Sequence, residues 1–272
     1  MESSGAREWE VVRYEGNNAS IIQEEVAEEF ALTIMLNGTE FATIVCSPFD
    51  IQQLVVGFLA SEGVIRFYDE IENFSLDEKL GFAYVEVAKD INQLQTDHSK
   101  RLIGSCCGKS RQFYFRSDAK TAKTVMSSFQ VSVEQCFSLM EQLQEQSGAF
   151  LRTGGVHNAA LADSEKLLSV HTDIGRHNAL DKLYGHTLVN KVPIRDKMIV
   201  FSGRISSEVL LKVSKIGIGV LISKAAPTDL ALKLAEELGI TAIGFARGNK
   251  MNVYTHPHRV KEAVPSTGEY LL

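Results

Sequence analysis

Three short apolar runs in the second half of the chain, at residues 198–201, 219–222 and 241–245, are separated by two stretches of helical periodicity. Ile205, Val209, Val213 and Ile216 make one apolar stripe, and Leu230, Leu234, Ala235 and Leu238 make the other. Gly217 and Gly239 stand where these helices should stop. Strands of four or five residues joined by single helices cannot pair as hairpins. They pair in parallel, through right-handed crossovers that lay the helices on the sheet. This alternation restricts residues 126–272 to an α/β domain.

The first half follows a different rule. Residues 31–36 and 40–46 flank Asn37-Gly38, the strongest short hairpin signal. Ser47-Pro48-Phe49-Asp50 then reads as a helix start, with a serine cap, proline at the first helical position and an acid in the first turn. Ile51, Leu54, Val55, Phe58 and Leu59 form its buried stripe, and Gly63 ends it. Residues 82–88 read as a strand, and 89–100 as a polar loop. The polar stretch 116–130 marks a boundary between a strand-rich domain, 1–125, and a second domain, 126–272. Ser132 with Gln135 caps a helix over 132–146, whose apolar face holds Cys136; Cys46 ends an apolar strand. Both cysteines read as core.

The chain has 272 residues, 44% of them hydrophobic and 23% charged, in the range of soluble globular proteins. Four cysteines are too few for a disulfide framework, and the N-terminus lacks signal-peptide character, so the expected compartment is the cytoplasm. No segment approaches the roughly 18 apolar residues of a membrane helix. A net charge of −6 argues against bulk nucleic-acid binding but leaves room for a local basic pocket.

Two cysteines stand side by side in Arg101-Leu-Ile-Gly-Ser-Cys106-Cys107-Gly-Lys-Ser-Arg111. Flanking cations favour the thiolate, the reactive form, and a Gly/Ser loop leaves sulfur accessible. Consecutive Cα atoms lie about 3.8 Å apart, short of the roughly 4.4–6.8 Å of ordinary bridges. Nor can adjacent residues readily close one tetrahedral zinc site, which calls for a spacer of two to four residues. No metal site is expected.

The remaining unusual residues cluster in turns: Thr153-Gly154-Gly155-Val156-His157-Asn158, Asp173-Ile-Gly-Arg176-His177-Asn178, Ser202-Gly203-Arg204, Ser223-Lys224-Ala-Ala-Pro227-Thr228 and Phe245-Ala246-Arg247-Gly248-Asn249-Lys250. Each is expected to follow a strand, at the edge where open α/β sheets bind ligands. His177 and Asp181 are four apart and share a helical face. Glycines permit close backbone approach, and cations with helix N-termini attract phosphate. Together the turns suggest a pocket for a large anionic ligand with planar groups.

At these residues the chain resembles the formate dehydrogenase accessory sulfurtransferases of the FdhD type. The matching stretches are Ser105-Cys-Cys-Gly-Lys109, Thr153-Gly-Gly-Val-His-Asn-Ala-Ala160, Asp173-Ile-Gly-Arg-His-Asn-Ala-Leu-Asp-Lys182, Ser202-Gly-Arg-Ile-Ser-Ser-Glu208, Ala226-Pro-Thr228 and Gly244-Phe-Ala-Arg-Gly248. They occur in family order, and the ten-residue stretch from Asp173 to Lys182 is the most specific. The first third matches only in general character. One departure concerns the thiols. Many members carry Cys-Gly-x-Cys-Gly where this chain has Cys-Cys-Gly, so either Cys106 or Cys107 can be the counterpart of the persulfide-bearing cysteine.

The resemblance implies a cytidine-deaminase-like three-layer α/β fold for the second domain, and a homodimer. It implies a carrier that takes sulfur from a cysteine desulfurase as a cysteine persulfide. The carrier hands it to the molybdenum or tungsten bis(molybdopterin guanine dinucleotide) cofactor destined for formate dehydrogenase. The guanine nucleotide, for which GDP would be a mimic, is implied to bind at Phe245, Ala246, Arg247, Gly248, Asn249 and Lys250. His157, Asp173, Arg176, His177, Asn178, Asp181, Ser202 and Arg204 are the other expected cofactor contacts. Two other functions bear on this one. A chaperone that delivers the cofactor without chemistry would use the same pocket and tolerate loss of the cysteines. A nucleoside deaminase would need His-x-Glu and Cys-x-x-Cys, and neither is present: His157 is followed by Asn158 and Ala159.

Overall fold

The computed structural model describes residues 5–88, 102–103 and 122–262. Its contacts divide the chain into two compact units, neither contiguous in sequence. The first holds Met1–Ser117, Ser147–Asn158 and His171–Lys191; the second holds Asp118–Gln146, Ala159–Val170 and Val192–Leu272. A division between 125 and 126 therefore misses two later returns of the chain to the first unit.

The first unit opens with a hairpin, β1 (Ala6–Glu15) and β2 (Asn18–Ala27), paired antiparallel over its whole length. The sequence reading did not foresee it, because its alternation is masked by exposed apolar residues such as Trp9, Val12, Tyr14 and Ile21. A mixed sheet follows, built from β3 (Phe30–Leu36), β4 (Thr39–Cys46), β5 (Ile71–Asp77), β6 (Phe82–Val87) and β7 (Leu102–Ile103), in the order β5-β6-β3-β4-β7. The Asn37-Gly38 hairpin joins β3 to β4 as expected. Leu32, Ile34 and Leu36 alternate into the core, as the two-residue strand period requires.

Helix α1 (Ile51–Ser61) is buried nearly all round. Its Phe58 meets Phe41 of β4 edge to face at 6.1 Å. Its opposite side packs on the helix formed by Arg176–Val189. The two backbones touch. A Cβ on Gly57 would stand 1.8 Å from the carbonyl oxygen of Asp181, and one on Gly185 would stand 1.9 Å from that of Gln53. That interlock draws residues 171–191 into the first unit.

The second unit carries α2 (Val133–Glu145) and all but the start of β8 and the end of β9 in a sheet of order β13-β12-β11-β10-β8-β9. Its strands are β8 (His157–Ala162), β9 (Leu167–Asp173), β10 (Met198–Phe201), β11 (Val220–Ser223), β12 (Thr241–Arg247) and β13 (Lys250–Val253). β10, β11 and β12 are parallel, while β8 and β13 lie antiparallel to their neighbours. The expected β-α-β-α-β succession is present, with α5 (Ser207–Ile216) and α6 (Asp229–Leu238) as crossovers. Two further helices, α3 (Gly148–Thr153) and α4 (Arg176–Val189), precede them in the chain.

One sheet face packs Met198, Val200, Val220 and Ile222 against Cys136, Leu139, Met140 and Leu143 of α2. The alternate residues Ile199, Phe201 and Leu221 point to the other face. Crossovers of one hand and one direction set α5 and α6 there. The overall class is thus mixed α/β, with helices on both faces of the second sheet.

Two local expectations change. Ser47 does not cap α1; the helix begins at Ile51, after Asp50 in a left-handed conformation (φ 53°). Ser47 is spent elsewhere: its N–H donates to Asp173 Oδ2, and its hydroxyl accepts from the Ile174 N–H. The turn at 153–158 follows a helix rather than a strand, since α3 ends at Thr153 and His157 begins β8.

Candidate functional site

The first cluster of expected residues is assembled where β9 runs into α4. Asp173 ends β9, and Lys182 lies two turns along α4. Their side chains pair at 2.8 Å with no exposure of either. Burying two charges is costly unless every remaining polar atom is also used. Here they are used. Asp173 Oδ2 accepts from the Ser47 N–H, and Oδ1 accepts from the Gly175 N–H at 2.8 Å and Asn178 Nδ2 at 2.9 Å. Lys182 Nζ also donates to Thr172 O at 3.1 Å and stands 4.3 Å from the centre of the Phe49 ring.

Asn178 and Asp181 belong to the same framework. Asn178 Nδ2 donates to Val45 O at 2.9 Å, and Asp181 Oδ1 accepts from the Ser61 hydroxyl at 2.6 Å. Asp173, Asn178 and Asp181 are therefore enclosed and hold the first turns of α4 in place. Lys182 and Ser61, absent from the expected site residues, complete this framework.

The framework presents Arg176 and His177, both half-buried, in the first turn of α4. His157, half-buried at the start of β8, is close enough to feel both. Burial holds its imidazole below the ordinary range, the charges of Arg176 and His177 lower it further, and Asp173 opposes them. His157 is therefore neutral near pH 7, and able to accept as well as donate a hydrogen bond. Arg176 Nε is buried without a hydrogen-bond partner among the described residues. A cation beside imidazoles at a helix N-terminus is suited to an anionic group.

The sequence reading missed a second histidine group. His171 Nδ1 stands 3.2 Å from Asp50 Oδ2, which keeps that carboxyl below its usual value, and the His171 and His186 rings are 4.8 Å apart. Sequence alone carried no signal for it, because its members come from three elements.

The second cluster lies at the C-terminal ends of β10, β11 and β12, the edge expected for ligands. Backbone bonds weave its turns together: Lys224 N–H to Phe201 O, Ile205 N–H to Ala226 O, and Phe245 N–H to Ala225 O. The Ser223 hydroxyl adds a bond to Gly203 O at 2.7 Å. Ser202 is half-buried here and Arg204 exposed.

Between β12 and β13 the register shifts, and Phe245 takes a left-handed conformation (φ 54°) with its ring 43% exposed. Such bulges re-aim side chains at functional edges. Arg247 Nε donates to Lys224 O at 2.8 Å. Gly248, at φ 55°, has open space where a side chain would stand. Ala246 is buried, whereas Asn249 and Lys250 are exposed. Arg247 and Gly248 form one wall of a cleft of about 430 Å³ whose other wall is α2.

The two cysteines read as core are core. Cys46 and Cys136 are fully enclosed, and burial pushes each thiol up to about 12. Cys106 and Cys107, with Arg101, Lys109 and Arg111, lie outside the described residues. Among the described residues no three His, Cys, Asp or Glu side chains are grouped to hold a metal, and no helix is long and apolar enough to cross a membrane.

Comparison with known proteins finds similarity over nearly the whole chain. The sequence pattern of the FdhD/NarQ family matches residues 27–261. A sulfur carrier protein FdhD of Bacillus subtilis is 60% identical over 253 residues, covering 93% of this chain and 97% of its own. Its counterpart in Halalkalibacterium halodurans is 60% identical over 240 residues, covering 88% and 89%. In fold, the chain is similar to a candidate formate dehydrogenase accessory protein from Desulfotalea psychrophila. The TM-score is 0.77 at 24% identity, over 94% of this chain and 99% of that one.

Proposed function

The chain belongs to the FdhD/NarQ family, and from that premise we propose that it is a sulfur carrier for the maturation of a formate dehydrogenase. The thiolate of Cys106 or Cys107 attacks the outer sulfur of a persulfide on a cysteine desulfurase. The sulfur–sulfur bond of the donor breaks, the desulfurase thiolate leaves, and the carrier holds the persulfide. The carrier's own sulfur–sulfur bond then breaks: its outer sulfur passes to a molybdenum or tungsten bis(molybdopterin guanine dinucleotide) cofactor, its substrate, and the cysteine is left as the thiolate. It acts in the cytoplasm, as a homodimer.

One observation carries this reading. A carrier needs an accessible thiol of low pKa, and two of the four cysteines are excluded by burial with thiols near 12. The chemistry thus falls to Cys106 and Cys107, whose neighbours Arg101, Lys109 and Arg111 favour the anion.

The pocket residues divide the cargo between them. Arg176, His177 and neutral His157 offer donors to an anionic group. The turn 245–250 takes the guanine nucleotide, with Arg247 as a planar phosphate fork and Lys250 as a point charge. The enclosed Asp173, Asn178 and Asp181 support the first of these sites from behind.

Incubation with a cysteine desulfurase and cysteine, followed by peptide mapping, tests the proposal. One added sulfur is expected on Cys106 or Cys107. Added sulfur only on Cys46 or Cys136 would refute it. Full activation of a formate dehydrogenase by a Cys106→Ala, Cys107→Ala double variant would leave a chaperone that delivers cofactor without chemistry.

A further inference from the structure

Most of the β1–β2 ribbon is uncovered. Each strand has ten residues, all of them exposed or half-buried, and Trp9 is open to 60%, Tyr14 to 70% and Ile21 to 69%. A two-stranded ribbon is marginally stable in water by itself; a third strand or a packed helix is needed to hold it. Its own chain supplies part of that cover, on one strand. α3 packs on β2, where Arg152 pairs with Glu25 at 2.7 Å and a Cβ on Gly155 would stand 3.1 Å from that of Ala27. No described strand pairs with the outer edge of β1. A free edge of that length is a template for another strand.

The order of residues along β1 is complementary to itself. Two identical strands paired antiparallel about a two-fold axis set one residue against its own copy, and residues directly opposite share a face. With the axis at Val11, Arg7 lies opposite Glu15 of the second copy, Trp9 opposite Arg13, and Val11 opposite Val11. Unlike charges meet, and a guanidinium meets an indole face. Because Val11 stands beside Ile22 in the hairpin, Ile22, Val11, Val11 and Ile22 form one aliphatic row across four strands. An axis at Glu10 would instead set Arg7 against Arg13 and Glu10 against itself. An axis at Val12 would set Trp9 against the Glu15 carboxylate and leave Arg7 beyond the paired strands. Within the chain Arg7 pairs with Glu28, and Arg13 with Glu24 at 3.3 Å; each guanidinium has donors beyond those bonds.

We propose that a second copy of this chain covers the ribbon, the two β1 strands pairing antiparallel about Val11 into a four-stranded sheet of order β2-β1-β1-β2. This rests on the homodimer of the proposed function and gives that dimer its interface. Arg7 and Glu15 are eight residues apart on one extended strand, about 27 Å at roughly 3.4 Å per residue. They cannot touch within a chain, so coupling between them reports a contact between copies.

The test is analytical ultracentrifugation of the full chain over a concentration series, with thiols kept reduced. It compares the wild type, Arg7→Glu, Glu15→Arg, the double variant carrying both, and Val11→Lys. Arg7 and Glu15 are exposed, and circular dichroism checks the fold of each variant. The wild type is expected to be a dimer. Each single reversal sets like charges opposite at two symmetry-related places and should raise the dimer dissociation constant roughly ten-fold or more. The double variant restores unlike pairs and should return to within about three-fold of the wild type. It does not restore the Arg7–Glu28 pair, so recovery cannot come from within one chain. Val11→Lys, which sets two cations on the axis, should give a monomer. A double variant no tighter than the weaker single one would overturn the register and with it the proposal. If the wild type is a dimer and every variant dimerises equally well, the homodimer stands and this interface falls. A wild type that is monomeric at every concentration refutes both.

Discussion

In the turn from β9 into α4 the charges lie inside; in the turn from β12 into β13 they lie outside. Both turns carry glycine, a cation and a planar side chain after a strand. In the first, Asp173 and Lys182 are wholly enclosed and each of their own side-chain polar atoms has a partner. In the second, Arg247 makes one bond to a backbone carbonyl and is otherwise exposed. The first turn spends most of its polar residues on building a rigid support that presents Arg176, His177 and His157. The second spends its hydrogen bonds on backbone, which leaves its side chains for a ligand. A rigid shell behind a small exposed group is what positions a reacting or binding atom to within fractions of an ångström.

The widest test of that contrast is to unpair the enclosed ion pair. Lys182→Ala leaves the Asp173 carboxylate buried without its cation, and should cost about 3–5 kcal/mol of folding stability. Urea unfolding measures it, and a loss below about 1 kcal/mol would mean that the pair is not scaffolding. The opposite behaviour is expected of Arg247→Ala. It removes a charge-assisted contact worth about 1.5–3 kcal/mol, so GDP binding should weaken roughly ten-fold or more while the unfolding midpoint stays put. A large drop in stability would place Arg247 in the same class as Lys182.

The smallest effect concerns His157. Its folded pKa lies below the ordinary 6.5 because burial disfavours the imidazolium. Below about pH 6.5 the unfolded chain takes up a proton that the folded chain refuses, so stability rises with pH across that window and is lost as pH falls through it. His186, lowered by burial and by His171, contributes in the same direction. His157→Gln should therefore flatten part of the acid-side decline in the unfolding midpoint while leaving the value at about pH 8 little changed. An unaltered slope would mean that His157 is solvated like an ordinary surface histidine.

Much of the second unit was legible because its signals are local. The stripes of α5 and α6, the Ser132–Gln135 cap of α2 and the apolar runs of β10, β11 and β12 all sit within a few residues of one another. The shared edge of the turns followed, since parallel strands put their C-terminal turns together. The first unit was less legible. Ser47 had the chemistry of a cap, but a buried carboxylate far along the chain claimed both its N–H and its hydroxyl. Gly57 and Gly185 stand in mid-helix, where glycine weakens the helix. Only the crossing of α1 and α4 shows what they are for.

Residue order alone determined the main helices and strands of the second unit, that three of those strands run parallel, and that Cys46 and Cys136 are core. Periodicity, caps and charged neighbours act over one or two turns of chain. Tertiary structure decided which polar residues are available. Asp173 and Asp181 look as much like ligands as Arg176 and His177 do when read along the chain. Burial separates them, because an enclosed charge must find its partners within the protein whereas a half-exposed one can keep a place for something else.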